Sequence, residues 1–182
     1  MTEFRPASER VSVELWPHDA AWAGLAEAES ARLAGVLGDN LLRVHHIGST
    51  AIPGIRAKPI VDLLPVVRDL AALDAKEGEV TALGYVWRGE FGLPGRRFCV
   101  LSEPETGRRL FHVHCWQDGS SEIHRHLVFR DYLRAHPHEA RGYEAEKLKA
   151  AAASPHDMLA YNDGKSEWIA SCQKRAEAWR RE

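Results

Sequence analysis

The stretch PIVDLLPVV, Pro59 to Val67, is apolar at almost every position. A strand with one wet face alternates polar and apolar residues. A run like this one fits a strand covered on both faces, inside a sheet with layers on either side. It also contains a carboxylate, Asp62. A carboxylate in such a strand costs several kcal/mol unless it is paired, hydrogen-bonded or bound to a metal. The fold therefore has to supply Asp62 with partners.

The surrounding sequence predicts the rest of the sheet and its cover. VSVELW, Val11 to Trp16, alternates as a first strand and ends at Pro17. Asp19 is placed to cap a helix to about Leu37, with Trp22, Leu25, Ala26, Leu33 and Val36 as its inner stripe. LLRVHHIG reads as a second strand, before the covered one. A helix over about Asp69–Leu83 follows, then three strands, YVWRG, RRFCVLSE and RLFHVHCWQ, expected to be antiparallel. Helices over about Ser121–Ala135, Pro137–Ala153 and Pro155–Arg180 close the chain, the last with Ser154 as its cap. The expected class is α+β: a mixed sheet of about five or six strands with helices packed on it and a C-terminal helical segment. With no linker-like stretch, residues 1–182 read as one domain, an α/β core over about 11–118 followed by helices over about 119–182.

Composition excludes some functions. A net charge of −2 argues against general nucleic-acid binding and against a membrane-surface role. No apolar run approaches the length of a membrane span. Cys99, Cys115 and Cys172 are widely separated and form no Cys-x-x-Cys pair, as expected of reduced thiols. Met1–Arg10 lacks the apolar core of a secretory leader, so a cytoplasmic location is expected. The oligomeric state is not readable.

Several residues are candidates for chemistry. Gly48-Ser49-Thr50 is a small-residue turn after a strand, where backbone amides and the Ser49 hydroxyl can hold a phosphate; the plainer alternative is a helix cap. Lys58 adds a cation at the entrance of the covered strand. Strand periodicity puts His112 and His114 on one face, where two imidazoles can share a metal or a phosphate, or stand as half-exposed histidines. Arg130 can reach an anion or pair with a surface acid, and Lys165 interrupts an apolar helical stripe, either snorkelling or pointing into a cleft. The pairs His124/His126 and His136/His138 do not face together on a helix and are set aside. Arg96-Arg97 and Arg108-Arg109 read as surface charge.

HIGSTAIPGIRAKPIVDLLPVV, FHVHCW, FRDYLR, YEAEKLKAAAA and YNDGKSEWI, in this order and spread from about Val11 to Ile169, resemble the GrpB family. Its members also occur fused behind dephospho-CoA kinase. The family is similar to the nucleotidyltransferase superfamily of the DNA polymerase beta type. The resemblance implies that Gly48 and Ser49 match the turn that holds a nucleotide triphosphate there, and that Asp62 matches the first of two strand acids that hold magnesium. The second acid position is Leu64, and the strand able to supply a third acid reads His112-Val113-His114. Two-metal catalysis needs carboxylates that bridge the ions. Imidazoles suit zinc, manganese or iron better than magnesium.

Three readings remain open at this point. One is a nucleotidyltransferase-like protein that binds a nucleotide or phosphorylated small molecule with a divalent metal (Mg or Mn, with Zn as an alternative) and transfers a nucleotidyl group to a small acceptor, Asp62 being catalytic. Another is a binding module without turnover. The third is a single-metal hydrolase or transferase using Asp62, His112 and His114. In all three, Gly48, Ser49, Thr50, Lys58, Arg130 and Lys165 are the candidate phosphate contacts, and Ser49, Asp62, His112 and His114 must meet in one cleft.

Overall fold

A computed structural model describes residues 12–181. After α1 (Ala21–Leu37) the chain forms β1 (Leu41–Ile47) and the covered strand β2 (Val61–Val67). Two short helices, α2 (Leu70–Asp74) and α3 (Glu77–Ala82), lead to β3 (Tyr85–Trp87), β4 (Arg97–Ser102) and β5 (Arg109–Gln117). Helices α4 (Ser121–Ala135), α5 (Pro137–Ala153), α6 (Met158–Asp163) and α7 (Ser166–Trp179) complete it. The sheet is five-stranded, in the order β1-β2-β5-β4-β3, and mixed: β2 and β5 run parallel while the other pairs are antiparallel.

Both faces of the sheet are covered, as the apolar run requires. On one face Val61, Leu63 and Val67 pack with Phe111, Val113 and Cys115 beneath Trp22, Ala26 and Leu33 of α1. On the other, Leu64, Val66, Ile47 and Trp116 pack against Ile123 and Leu127 of α4. A separate cluster ties α4, α5 and α7 to Ile52 and Ile55, the segment between β1 and β2. Asp62 pairs in register with His112, so strand alternation puts Asp62, Leu64 and Val66 on the α4 side together with His112, His114 and Trp116.

Four expectations need correction. Residues 12–16 do not form a sheet strand: Trp16 makes an isolated bridge with Ala57, and the Val13 amide donates to the Pro155 carbonyl, so the segment docks on the C-terminal helices. Val11 lies outside the described residues. Leu25 of the proposed inner stripe faces solvent, and Glu29 takes a buried place on α1. The helix expected over Asp69–Leu83 bends at Ala75–Lys76, which lets both Leu73 and Val80 reach the core. The last helix is two: Asp157, not Ser154, caps α6 through the Leu159 and Ala160 amides, and the chain turns at Gly164–Lys165 before α7. Gly164 packs so closely on α5 that a Cβ there would lie 3.3 Å from that of Ala150. Among the described residues no helix is long and apolar enough to cross a membrane, and Cys99, Cys115 and Cys172 are free and buried.

Candidate functional site

The site forms where β1 ends, β2 begins and the C-terminal helices arrive. Gly48 closes β1 with φ 71° and ψ −172°, a backbone conformation open essentially to glycine alone. The next residues, Ser49–Ala51, make a single 3-10 turn rather than opening a full helix. The turn lies against Asp62: a Cβ on Gly48 would stand 3.0 Å from Asp62 Cβ and Cγ, and closer still to Oδ2.

Asp62 sits between two imidazoles. Its Oδ1 is 3.4 Å from His112 Nδ1 and 3.5 Å from His114 Nε2. Burial alone would raise the Asp62 pKa, but His112 and then His114 more than offset it and hold the carboxyl well below the usual carboxylate range. The separations are long for charge-assisted hydrogen bonds, which run at about 2.7–2.9 Å. They match the edge of a tetrahedron of ligands around an ion with bonds of about 2.1 Å, an edge of about 3.4 Å. Ligand atoms of Asp62, His112 and His114 all lie within 4.8 Å of one another, and among the described residues no further acid joins them. His112 Nε2 is buried without a hydrogen-bond partner. A carboxylate with two imidazoles therefore fits one divalent ion of the zinc, manganese or iron type better than magnesium. Leu64, at the second-acid position, is fully buried beneath α4.

Asp62 and His112 line one wall of a cavity of about 250 Å³, with Gly48, Ser49 and Thr50 beside them. The opposite wall comes from Tyr143 and Lys147 of α5, Tyr161 and Asn162 of α6, and Lys165, while Lys58 enters from the segment before β2. The turn at Gly164 is what sets Lys165 into the cavity instead of along one long helix. Lys165 Nζ lies 4.2 Å from the Tyr161 ring centroid, and Lys58 Nζ lies 5.3 Å from the same ring. Lys147 is 1% exposed, its ammonium donating to the Arg56 carbonyl and lying 4.7 Å from the Tyr143 ring.

Three lysines crowded out of water lose part of their basicity. Burial, then the charge of Lys165, bring Lys147 down to about 7. Burial, then Lys58, bring Lys165 down to about 8. Lys58 is lowered by burial, against the pull of Asp62. Such a cluster attracts an anion strongly and gains protons when one arrives.

The structure thus brings Gly48, Ser49, Thr50, Lys58, Asp62, His112 and Lys165 to one cavity, with His114 behind Asp62. The Ser49 hydroxyl donates to Tyr143 Oη at 3.3 Å, and Thr50 Oγ1 is 2.9 Å from His46 Nε2. Arg130 lies elsewhere: its guanidinium donates to the His46 carbonyl and to the Asp131 carboxylate and is not part of the cavity wall. Arg96 is buried, contrary to the expectation of surface charge, while Arg97 pairs with Asp74. His126 was set aside with its sequence neighbour, yet α4 turns it toward the cluster, 6.0 Å from the His114 ring; burial, then Arg125, push it down to about 4. Lys147 and Tyr143 join the site although neither is among the residues expected there. Ala140, Tyr143, Lys147 and Ala150 are the buried residues of α5. A lysine on an apolar stripe was the same signal that singled out Lys165.

The family model described as GrpB protein matches residues 12–175. The chain belongs to the GrpB family. Among relatives, it is 40% identical over 169 residues to UPF0157 protein YqkA of Bacillus subtilis, covering 93% of this chain but 48% of that protein. It is 30% identical over 192 residues to a dephospho-CoA kinase of Mycolicibacterium paratuberculosis, covering 93% of this chain and 47% of that one. The chain thus spans about half the length of each of these two relatives. The crystal structure of GrpB from Enterococcus faecalis superimposes with a TM-score of 0.87 at 38% identity, covering 93% of this chain and 100% of that one. Cid1, in complex with its short product ApU, superimposes with a TM-score of 0.51 at 14% identity over 72% of this chain and 41% of that one. The fold is thus that of the GrpB structure and, more distantly, similar to that of Cid1.

Proposed function

We propose that this GrpB protein binds a nucleotide or a related phosphorylated small molecule in the cavity between β2 and the C-terminal helices, with one divalent cation held by Asp62, His112 and His114. One observation carries the reading: a single cavity has Asp62 and His112 on one wall and Lys58, Lys147 and Lys165 around the rest. A lone carboxylate repels phosphate, and a cation between them turns repulsion into attraction; the ammonium groups offset the remaining charge. The Gly48–Thr50 turn, with the Ser49 hydroxyl bonded to Tyr143, would orient a phosphate oxygen, and the Tyr143 and Tyr161 rings lie against the lysines. The free thiols support a reducing compartment.

A bound ion of this kind would supply charge neutralisation and polarise a phosphoryl oxygen. The single carboxylate, with Leu64 buried where a second acid would stand, favours binding or single-ion chemistry over two-metal nucleotidyl transfer. The 3.4 and 3.5 Å separations of Asp62 Oδ1 from the two imidazole nitrogens favour a second reading, transfer or hydrolysis at one ion.

Calorimetric titration with inorganic tripolyphosphate, ATP and UTP, each with manganese, zinc or no metal, tests this. Wild-type protein should bind, and more tightly with metal. Asp62→Asn should lose the metal-dependent part by more than about 100-fold, since even groups that only support a ligand are worth 10–100-fold. Lys147→Met and Lys165→Met should weaken what remains. Failure of every polyphosphate to bind, with or without metal, overturns the reading.

A further inference from the structure

The loop joining β3 to β4 presents an aromatic surface beside the metal-type cluster, and neither the cavity nor the fold accounts for it. Phe91 is 63% exposed and has φ 44°, the only non-glycine at positive φ among the described residues. A bulky residue there is strained and persists only where its surroundings hold it. The surroundings do so. Arg96, itself buried, donates Nη2 to the Phe91 carbonyl at 2.6 Å and Nε to the Glu90 carbonyl at 3.2 Å. Glu90 Oε1 accepts from the Gly95 amide at 2.7 Å, and the Leu93 and Arg96 amides close turns within the loop. The main chain that carries Phe91 is therefore held in place.

Its position gives it a use. The Phe91 ring stacks on Phe98, with centroids 5.3 Å apart and 26° between planes. Phe98 in turn lies 5.0 Å from the His114 ring and 5.5 Å from the His112 ring. The aromatic row thus runs from solvent to the two imidazoles that flank Asp62. Leu93 and Val86 expose apolar surface on the same β3–β4 corner. A rigid exposed ring ending a row of rings suits a flat partner, since stacking tolerates different bases and needs little ordering.

We propose that Phe91 is a stacking platform for a planar heteroaromatic ring of the nucleobase class, forming a subsite on the Phe98 side of the histidine pair. It rests on the loop geometry and not on the metal-bound phosphate reading. Two sources share this chemistry: the base of a nucleotide whose phosphates occupy the lysine cavity, or the base of a separate acceptor.

Saturation-transfer NMR with adenosine and uridine, which carry no phosphate, tests it on the full chain. Wild type should transfer saturation to the base protons more than to the ribose protons. Phe91→Gly should abolish this while keeping or raising the melting temperature, because glycine relieves the strained φ, and Phe91→Trp should retain it. Where ATP or UTP displaces the nucleoside, their affinity should fall roughly 5- to 100-fold in Phe91→Gly, the range for losing one base–aromatic stack, with tripolyphosphate affinity unchanged; where they bind alongside it, ATP and UTP affinity should not change. No transfer in wild type, or equal transfer in Phe91→Gly, overturns the proposal. Loss of tripolyphosphate binding in wild type counts against the cavity reading alone. Displacement of the nucleoside by ATP or UTP identifies the base of the same nucleotide; simultaneous binding identifies an acceptor, and both support the platform.

Discussion

Gly48 and Asp62 touch at the point where β1 leaves the sheet, so closely that Gly48 has no room for a side chain. Gly48→Ala therefore strikes twice: it forces alanine into a glycine-only backbone region, at about 1–3 kcal/mol, and it pushes the Asp62 carboxylate off its place between His112 and His114. A lower melting temperature together with weaker manganese or zinc binding in calorimetry is expected. Unchanged metal affinity would separate the turn from the cluster.

The lysine cluster makes anion binding depend on pH. Lys147 at about 7 and Lys165 at about 8 are partly neutral near pH 8, and a bound polyphosphate favours their charged forms. Tripolyphosphate affinity should fall as pH rises from about 6.5 to 9, with proton uptake on binding, read by calorimetry in buffers of different ionisation enthalpy. For the ligand-free protein the sign is opposite. The folded Lys147 value lies below its ordinary 10.5, so between these values the unfolded chain holds more protons and stability rises with pH. Lys147→Met should flatten both dependences.

Asp157→Ala removes the side-chain cap of α6, which carries Tyr161 beneath Lys58 and Lys165. A loss of about 1 kcal/mol is expected from the cap, read by urea unfolding, together with weaker tripolyphosphate binding.

Tyr85→Phe provides a contrast on the opposite face of the sheet. Tyr85 donates to the buried Glu29 at 2.7 Å, which Arg32 also holds. Leaving that carboxylate one donor short should cost about 1–3 kcal/mol in urea unfolding, with ligand and metal binding unchanged.

The sheet was legible because its signals are periodic. The covered run PIVDLLPVV marks β2 as central and the alternation of FHVHCW places His112 and His114 on one face, while the β2–β5 register is what puts Asp62 on that same face. The α/β core with trailing helices followed from punctuation by glycine, proline and capping residues. What escaped was tertiary. VSVELW has strand periodicity but its amide at Val13 pairs with Pro155 far along the chain. Arg130 looked available until the fold gave it the His46 carbonyl and Asp131. Phe91 became visible only when the β3–β4 loop was set against the strands, since nothing local marks a strained phenylalanine, whereas Lys147 carries the same stripe signal as Lys165.

The parallel pairing of β2 with β5 has a consequence for when the site exists. The antiparallel pairs β1–β2 and β4–β5 each join neighbours along the chain, while Asp62 belongs to the first pair and both histidines to the second. Contacts that close long loops form late. A nascent or half-folded chain, with both pairs made but not yet joined, holds a carboxylate without imidazoles and captures no ion or phosphate through this cluster. An ion held by Asp62, His112 and His114 would thereby report completed folding, and a ligand that recognises the joined sheet would stabilise the native state without trapping its precursors.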